Sequence, residues 1–146
     1  MDEKDGELLL KLSRRAISEY LKHGKVIKAP EDVKEELKEK RGVFVTLTTY
    51  PDKRLRGCIG FPEPIKPLIE AVIEAAISSA TRDPRFHPVS LQELPHITVE
   101  VTVLTPPDTI DAKTPEETLE KIEIGRHGLI IEKGMCRGLL LPQVPV

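Results

Sequence analysis

The stretch "VFVTLTTYPDKRLRGCIG", Val43 to Gly60, decides the fold class. Val43–Tyr50 is dense in β-branched and aromatic residues and reads as a strand. "PDKR" supplies a turn, and Leu55–Ile59 reads as the strand that returns from it. An antiparallel hairpin therefore sits near the middle of the chain, and the other elements are placed around it.

Before it, Leu8, Leu9, Leu12, Ala16, Tyr20 and Leu21 recur at three- and four-residue spacing, which predicts a helix over Glu7–His23 that stops at Gly24. A second helix is expected from Glu31 to Lys40. Pro30 and the acids Glu31 and Asp32 suit its start, Lys38, Lys40 and Arg41 its end, and Gly42 terminates it. After the hairpin, Pro62, Pro64 and Pro67 lead into a helix over Pro67–Ala80. Its only polar stripe is Glu70, Glu74, Ser78 and Thr81, so this helix is expected to be largely buried.

The loop "TRDPRFHP" follows, then Ser90 and Glu93 at capping-box spacing, then "HITVEVTVL" alternating as a strand. Thr114, Pro115 and Glu117 start a short helix. Ile122–Ile124, Leu129–Lys133 and Gly138–Leu141 are expected as three short strands, with turns at "GRHG" and "GMCR". Strands outnumber helices and hairpin turns recur, so the expected class is α+β, a mostly antiparallel sheet with flanking helices.

The chain has 146 residues, which bounds it to one domain, 1–146. Lys+Arg is 22 against Asp+Glu 24, a net charge of −2, and aromatic residues are 3% with no Trp. Neither balance suits nucleic-acid binding, which draws on basic excess and stacking rings. The group Lys53, Arg54 and Arg56 is read as a solvated turn. Charged residues are 32% and Asn is absent, the composition of proteins from hot environments. The acidic start "MDEKDGELLL" has no signal-peptide pattern, no apolar run approaches the ~18 residues of a membrane helix, and two cysteines are too few for a secreted framework. A cytoplasmic location is expected.

The chemistry concentrates at "LRGCIG", Leu55–Gly60. Strand alternation places Arg56, Cys58 and Gly60 on one face, where the guanidinium would favour the Cys58 thiolate. Gly57 and Gly60 would let a ligand or another backbone approach. The positive end of the helix starting near Pro67 would add support if it folded back toward the thiol. The competing reading is packing: cysteine is a common small core residue, and strand glycines mark bulges or close contacts. Asp83 and Arg85 of "DPRF" are read either as substrate-positioning groups or, preferably, as a local pair that caps the helix end while Phe86 fills core. The Gly-x-x-Gly form of "GCIG" is not taken as an RNA-clamping loop, because strand residues flank it. No metal-ligand spacing occurs; the two minor alternatives for the thiols are a Cys58–Cys136 disulfide and, behind it, a metal site that joins Cys58, Cys136 and a histidine.

"LRGCIG", "DPRF" at Asp83–Phe86, "VLTPP" at Val103–Pro107 and "GLLLPQV" at Gly138–Val144 together resemble the AMMECR-domain family, over essentially the whole chain. The resemblance implies an α+β domain of two unequal lobes around an antiparallel sheet, with no established reaction. It points to partners among Memo-type and radical S-adenosylmethionine enzymes. Family members continue past "LLLPQV" with a tryptophan-containing stretch, so a C-terminal part of the domain is expected to be missing, as the apolar strand expected to run to the last residue also suggests.

The primary functional expectation is an enzyme or enzyme component acting on a small anionic or nucleotide-like substrate. In it Cys58 is the nucleophile or thiol contact, Arg56 its electrostatic activator, and Gly57, Gly60, Asp83 and Arg85 line the substrate site. No cofactor is expected. The alternative is a non-catalytic module that docks onto a partner protein, and nucleic-acid binding ranks third.

Overall fold

The computed structural model describes all residues, 1–146, and divides them into two compact units, Met1–Pro107 and Asp108–Val146.

In the first unit, helix α1 spans Glu3–His23. It begins four residues earlier than its apolar periodicity predicts, because Asp2 and Asp5 form a reciprocal cap. The Asp5 amide donates to Asp2 (3.0 Å), and the Asp2 amide donates to Asp5 (2.8 Å). Lys34 reaches both carboxylates, which ties the segment after the helix to its start. Gly24 closes α1 in the left-handed conformation at φ 63°, where glycine carries no Cβ penalty.

The helix expected over Glu31–Lys40 contracts to one turn, α2, Glu35–Lys38. Residues 31–33 form bends instead, and Leu37 is the turn's buried residue. One apolar anchor is too little to hold a longer amphipathic helix, since most helical stability in a protein comes from a packed face.

Strands β1 (Gly42–Thr49), β2 (Leu55–Phe61) and β3 (Ile97–Leu104) form one antiparallel sheet in the order β2-β1-β3. The central strand pairs Val43 with Phe61 and Val103, and Val45 with Ile59 and Val101. Alternation puts these residues on one face, and that face carries the core. Helix α3, Leu68–Thr81, lies across β1 and β2, and α1 packs against α3 and β3. Leu9, Leu12, Ala16 and Ile17 of α1 meet Ala71, Val72, Ala75 and Ala76 of α3 and the sheet in one apolar cluster. The expected burial of α3 is observed.

After α3, the "TRDPRFHP" loop leads to a 3-10 turn, Leu94–His96. Ser90 and Glu93 cap it reciprocally, as their spacing predicts: the Ser90 amide donates to the Glu93 carboxylate (2.7 Å) and the Glu93 amide to the Ser90 hydroxyl (3.3 Å).

The second unit holds α4, Pro115–Glu120, capped by Thr114, and a hairpin of β4 (Leu129–Lys133) and β5 (Cys136–Leu140). Gly134 makes the hairpin turn at φ 59°. The expected strand Ile122–Ile124 does not form. The backbone turns back on itself there, the Glu123 amide donating to His127 Nδ1 and the His127 amide to the Glu123 carbonyl. Likewise β5 ends at Leu140, and residues 142–145 form a turn rather than continuing the strand. No helix is long and apolar enough to cross a membrane.

Candidate functional site

The site is built where the end of α3 meets the middle of β2. Gly57 makes the meeting possible. A Cβ on Gly57 would lie 2.1 Å from the Ser79 carbonyl oxygen, a distance no side chain tolerates. With that volume absent, the buried Ser79 hydroxyl reaches into the sheet. It accepts from the Ile59 amide (2.9 Å) and lies 2.7 Å from the Val45 carbonyl, to which it can donate. A hydroxyl thus bridges the β1–β2 pair at Val45 and Ile59.

One turn beyond, Asp83 secures the next residue of the strand. Its carboxylate accepts from the Cys58 amide (3.0 Å), the Arg85 amide (3.1 Å), Arg85 Nε (3.0 Å) and Arg85 Nη2 (2.8 Å). Asp83 is 5% exposed, so these bonds replace its water. The hydrogen bond from Arg85 holds its pKa down to about 2, with the Cys58 and Arg85 amides assisting against burial.

Arg56 does not stand beside the thiol as strand alternation predicts. The β1–β2 register slips between Leu47 and Thr48: Leu47 faces Gly57, Thr48 faces Leu55, and Arg56 is the extra residue of a bulge. Bulges re-aim side chains. Arg56 turns away to the loop after α3, where Nε and Nη2 meet Glu93 (3.1 and 3.3 Å) and Nη1 donates to the His87 carbonyl (2.8 Å). Its guanidinium is also 6.0 Å from the centre of the Phe86 ring. Arg56 is a strut that braces β2 to residues 86–93, and its expected role as the activator of Cys58 is corrected accordingly.

Cys58 lies on the sheet face opposite the core, half-buried, in one cross-strand row with Thr46 and Glu100. Its Sγ is 3.2 Å from the Thr46 hydroxyl. Burial pushes the thiol pKa above its ordinary value. Thr46 and then Arg85 oppose that shift, while Asp83 and Glu100 reinforce it. The expected thiolate is therefore replaced by a neutral thiol, and the cation that touches its electrostatics is Arg85. The supporting helix start is also misplaced in the expectation. It is the carboxyl end of α3, with Ser79 and Asp83, that approaches Cys58, while Pro67 at the other end bridges Lys40.

The two glycines prove to be packing devices. The space a Gly60 side chain would use is occupied by the Val43 carbonyl (2.1 Å) and Phe44, so neither glycine opens room for a ligand. Cys58 and Cys136 are both free thiols, and no group of three or more His, Cys, Asp or Glu side chains converges to hold a metal ion.

What is open is the other side of Arg85. A cleft of about 430 Å3 is lined by Arg56, Pro84, Arg85, Phe86 and His87. The Arg85 guanidinium stands 5.5 Å from the Phe86 ring centre, and its side chain is 54% exposed. Phe86 therefore forms a wall between two guanidiniums instead of filling the core. Of the candidate residues, Cys58, Asp83 and Arg85 are brought together, Arg56 reaches the same cleft from behind, and Gly57 and Gly60 serve the backbone. Thr46, Ser79 and Glu93 join the network without having been singled out for it. Only Glu93 carried a local signal, its capping spacing to Ser90.

The family model for AMMECR1 matches residues 10–146. Protein PH0010 of Pyrococcus horikoshii is 61% identical over 144 residues, covering 97% of this chain and 69% of that protein. Protein MK0488 of Methanopyrus kandleri is 58% identical, with 98% and 69% covered. The crystal structure of the uncharacterized protein PH0010 superposes with a TM-score of 0.95 at 59% identity, over 99% of this chain and 72% of that one. The chain belongs to the AMMECR1 family, and the α+β fold is that of its solved relative.

Proposed function

We propose that this member of the AMMECR1 family is an enzyme component that takes up a small anionic ligand at the Arg85 cleft, with Cys58 as a neutral thiol contact behind it. The observation that carries the reading is the half-exposed Arg85 guanidinium, gripped by Asp83 along one edge only and joined to Cys58 through the Asp83 carboxylate and the Cys58 carbonyl, 3.5 Å from Nη2. Fixed charge-assisted bonds of this kind hold a guanidinium ready for an oxyanion without further ordering. Arg56 supplies rigidity rather than activation.

The test is alkylation of Cys58 by iodoacetamide in a Cys136→Ser background, with and without millimolar benzoate, inorganic phosphate or adenosine monophosphate. At least one of these anions is expected to change the rate at least twofold, and Arg85→Lys to remove the effect. Rates unmoved by all three, or an effect that survives in Arg85→Lys, would overturn the reading.

A second reading is docking onto a partner, of the Memo-type or radical S-adenosylmethionine kind. It draws on the apolar side chains exposed in Asp108–Val146: Leu119 (70%), Ile124 (72%), Ile131 (68%) and Met135, fully exposed. Co-expression with such an enzyme is expected to give one co-eluting complex that Ile131→Glu splits, whereas separate elution of the native proteins contradicts it.

A further inference from the structure

Resting on the anionic-ligand reading, we infer that the Arg85 cleft selects a monocarboxylate with an apolar body over a phosphate dianion. Three features of the cleft carry this.

The first is charge. Two guanidiniums face the cleft, but each has its own carboxylate: Arg56 pairs with Glu93 and Arg85 with Asp83. The four formal charges cancel. Both acids are held ionised by their hydrogen bonds, Glu93 chiefly by the Ser90 amide and then Arg56, and Asp83 chiefly by Arg85. A dianion entering here meets one free guanidinium nitrogen and the field of two fixed carboxylates. Sites that hold phosphate esters usually present a surplus of positive charge or a row of backbone amides, and this one presents neither surplus nor row.

The second is the number of free donors. Asp83 engages Arg85 in a fork, Nε to Oδ1 and Nη2 to Oδ2, with a carboxylate that is itself buried. The other Nη2 hydrogen is directed to the Cys58 carbonyl, 3.5 Å away, so Nη1 is the nitrogen left to donate into the cleft. One charged nitrogen suits the single charge of a carboxylate better than the double charge and three acceptor oxygens of a phosphate. Arg56 offers no further donor, because Glu93, His87 and Pro88 accept from all three of its nitrogens. One nitrogen therefore serves one monoanion.

The third is the wall. Pro84 and the Phe86 ring line the cleft beside Arg85, and its volume of about 430 Å3 greatly exceeds a bare oxyanion. The remainder suits an apolar or aromatic body laid against Phe86. The carboxylate itself could belong to a free organic acid or to the C-terminus of a peptide.

Isothermal titration of the full chain with benzoate, N-acetylphenylalanine, inorganic phosphate and adenosine monophosphate separates these. Both carboxylates are expected to bind at least tenfold more tightly than either phosphate. Arg85→Lys, which keeps the charge beside Asp83 but has a single nitrogen to divide between Asp83 and the cleft, is expected to weaken carboxylate binding roughly ten- to a hundredfold. A thermal midpoint for Arg85→Lys near that of the native chain confirms that the loss is not unfolding. If the variant unfolds, carboxylate-induced shifts of the Phe86 ring protons in the native chain decide the same point by NMR. Tighter binding of benzoate assigns the site to a free acid, and tighter binding of N-acetylphenylalanine to a peptide end; either supports the inference. Arg85-dependent binding of the phosphates with equal or greater affinity would overturn the carboxylate preference while leaving the anionic-ligand reading intact. No Arg85-dependent binding of any probe would sink both.

Discussion

Replacing Gly57 by alanine adds one methyl group at the point where α3 meets β2. The added carbon would stand 2.1 Å from the Ser79 carbonyl oxygen, where ordinary contact begins at 3.4 Å. A carbonyl near the end of a buried helix cannot swing aside like a side chain, so the helix end must retreat by more than ~1 Å. Overpacking of this kind costs about 1–3 kcal/mol. The retreat also stretches the Ser79 bridge, which serves the Ile59 amide and the Val45 carbonyl. Leaving even one of those groups unsatisfied adds about 1–3 kcal/mol. The sum is roughly 2–6 kcal/mol, a large part of the 5–15 kcal/mol that holds a typical domain. At about 2–4 °C per kcal/mol for a chain of this size, the midpoint should fall by at least roughly 4 °C and by as much as about 24 °C. Gly6→Ala is the control. Nothing lies within 4 Å of a Cβ at Gly6, which sits inside α1, so alanine there should stabilise by about 0.5–1 kcal/mol. Urea and thermal unfolding of the two variants measure both effects. A Gly57→Ala chain within ~0.5 kcal/mol of the native one would contradict the close α3–β2 contact, because that is the spread of harmless surface changes.

Other outcomes follow from the same contacts. Ser79→Ala keeps the helix but removes the hydroxyl that accepts from the Ile59 amide and lies 2.7 Å from the Val45 and Ala75 carbonyls, and should cost about 1–3 kcal/mol in denaturant unfolding. Asp83 has its pKa lowered to about 2 in the folded chain, so the stability it contributes is full above its ordinary value of 3.8 and is lost as pH falls through about 2. Native and Asp83→Asn chains compared by urea unfolding should therefore differ by roughly 2 kcal/mol at neutral pH, and converge between about pH 4 and pH 2. An unchanged gap across that window would contradict the pairing of the buried Asp83 carboxylate with Arg85. Arg56→Met should loosen residues 86–93, seen as faster amide exchange there, because Glu93 and the His87 carbonyl lose their partner.

Helices α1 and α3 and the three strands of the main sheet were legible because each buries one periodic face, and burial is what periodicity reports. The reading failed where burial was absent. Residues 31–34 have a good helix start but little to pack, and Ile124 is 72% exposed at a turn. At the site, the residue types were legible and their geometry was not. Arg56 and Cys58 are two apart, and alternation puts them together only if the register is regular. The bulge at Leu47/Thr48 separates them, and nothing local to "LRGCIG" announces it. The glycines drew attention for the right reason, close approach, but what approaches is Ser79 and the β1 backbone. Asp83 and Arg85 form the local pair their spacing suggested. Its reach to the Cys58 amide depends on contacts 25 residues apart, which no local pattern encodes.

Cys58 is held as a neutral thiol whose charged support is Arg85, and Arg56 is a brace. The pH dependence of iodoacetamide alkylation tests this most directly, in a Cys136→Ser background with Arg56 native and replaced by Met. The rate should stay slow through pH 8 and climb only above the ordinary thiol pKa, with a midpoint unmoved by Arg56→Met. A midpoint below about 8.5 that rises when Arg56 is removed would contradict it and restore Arg56 as the activator of a thiolate.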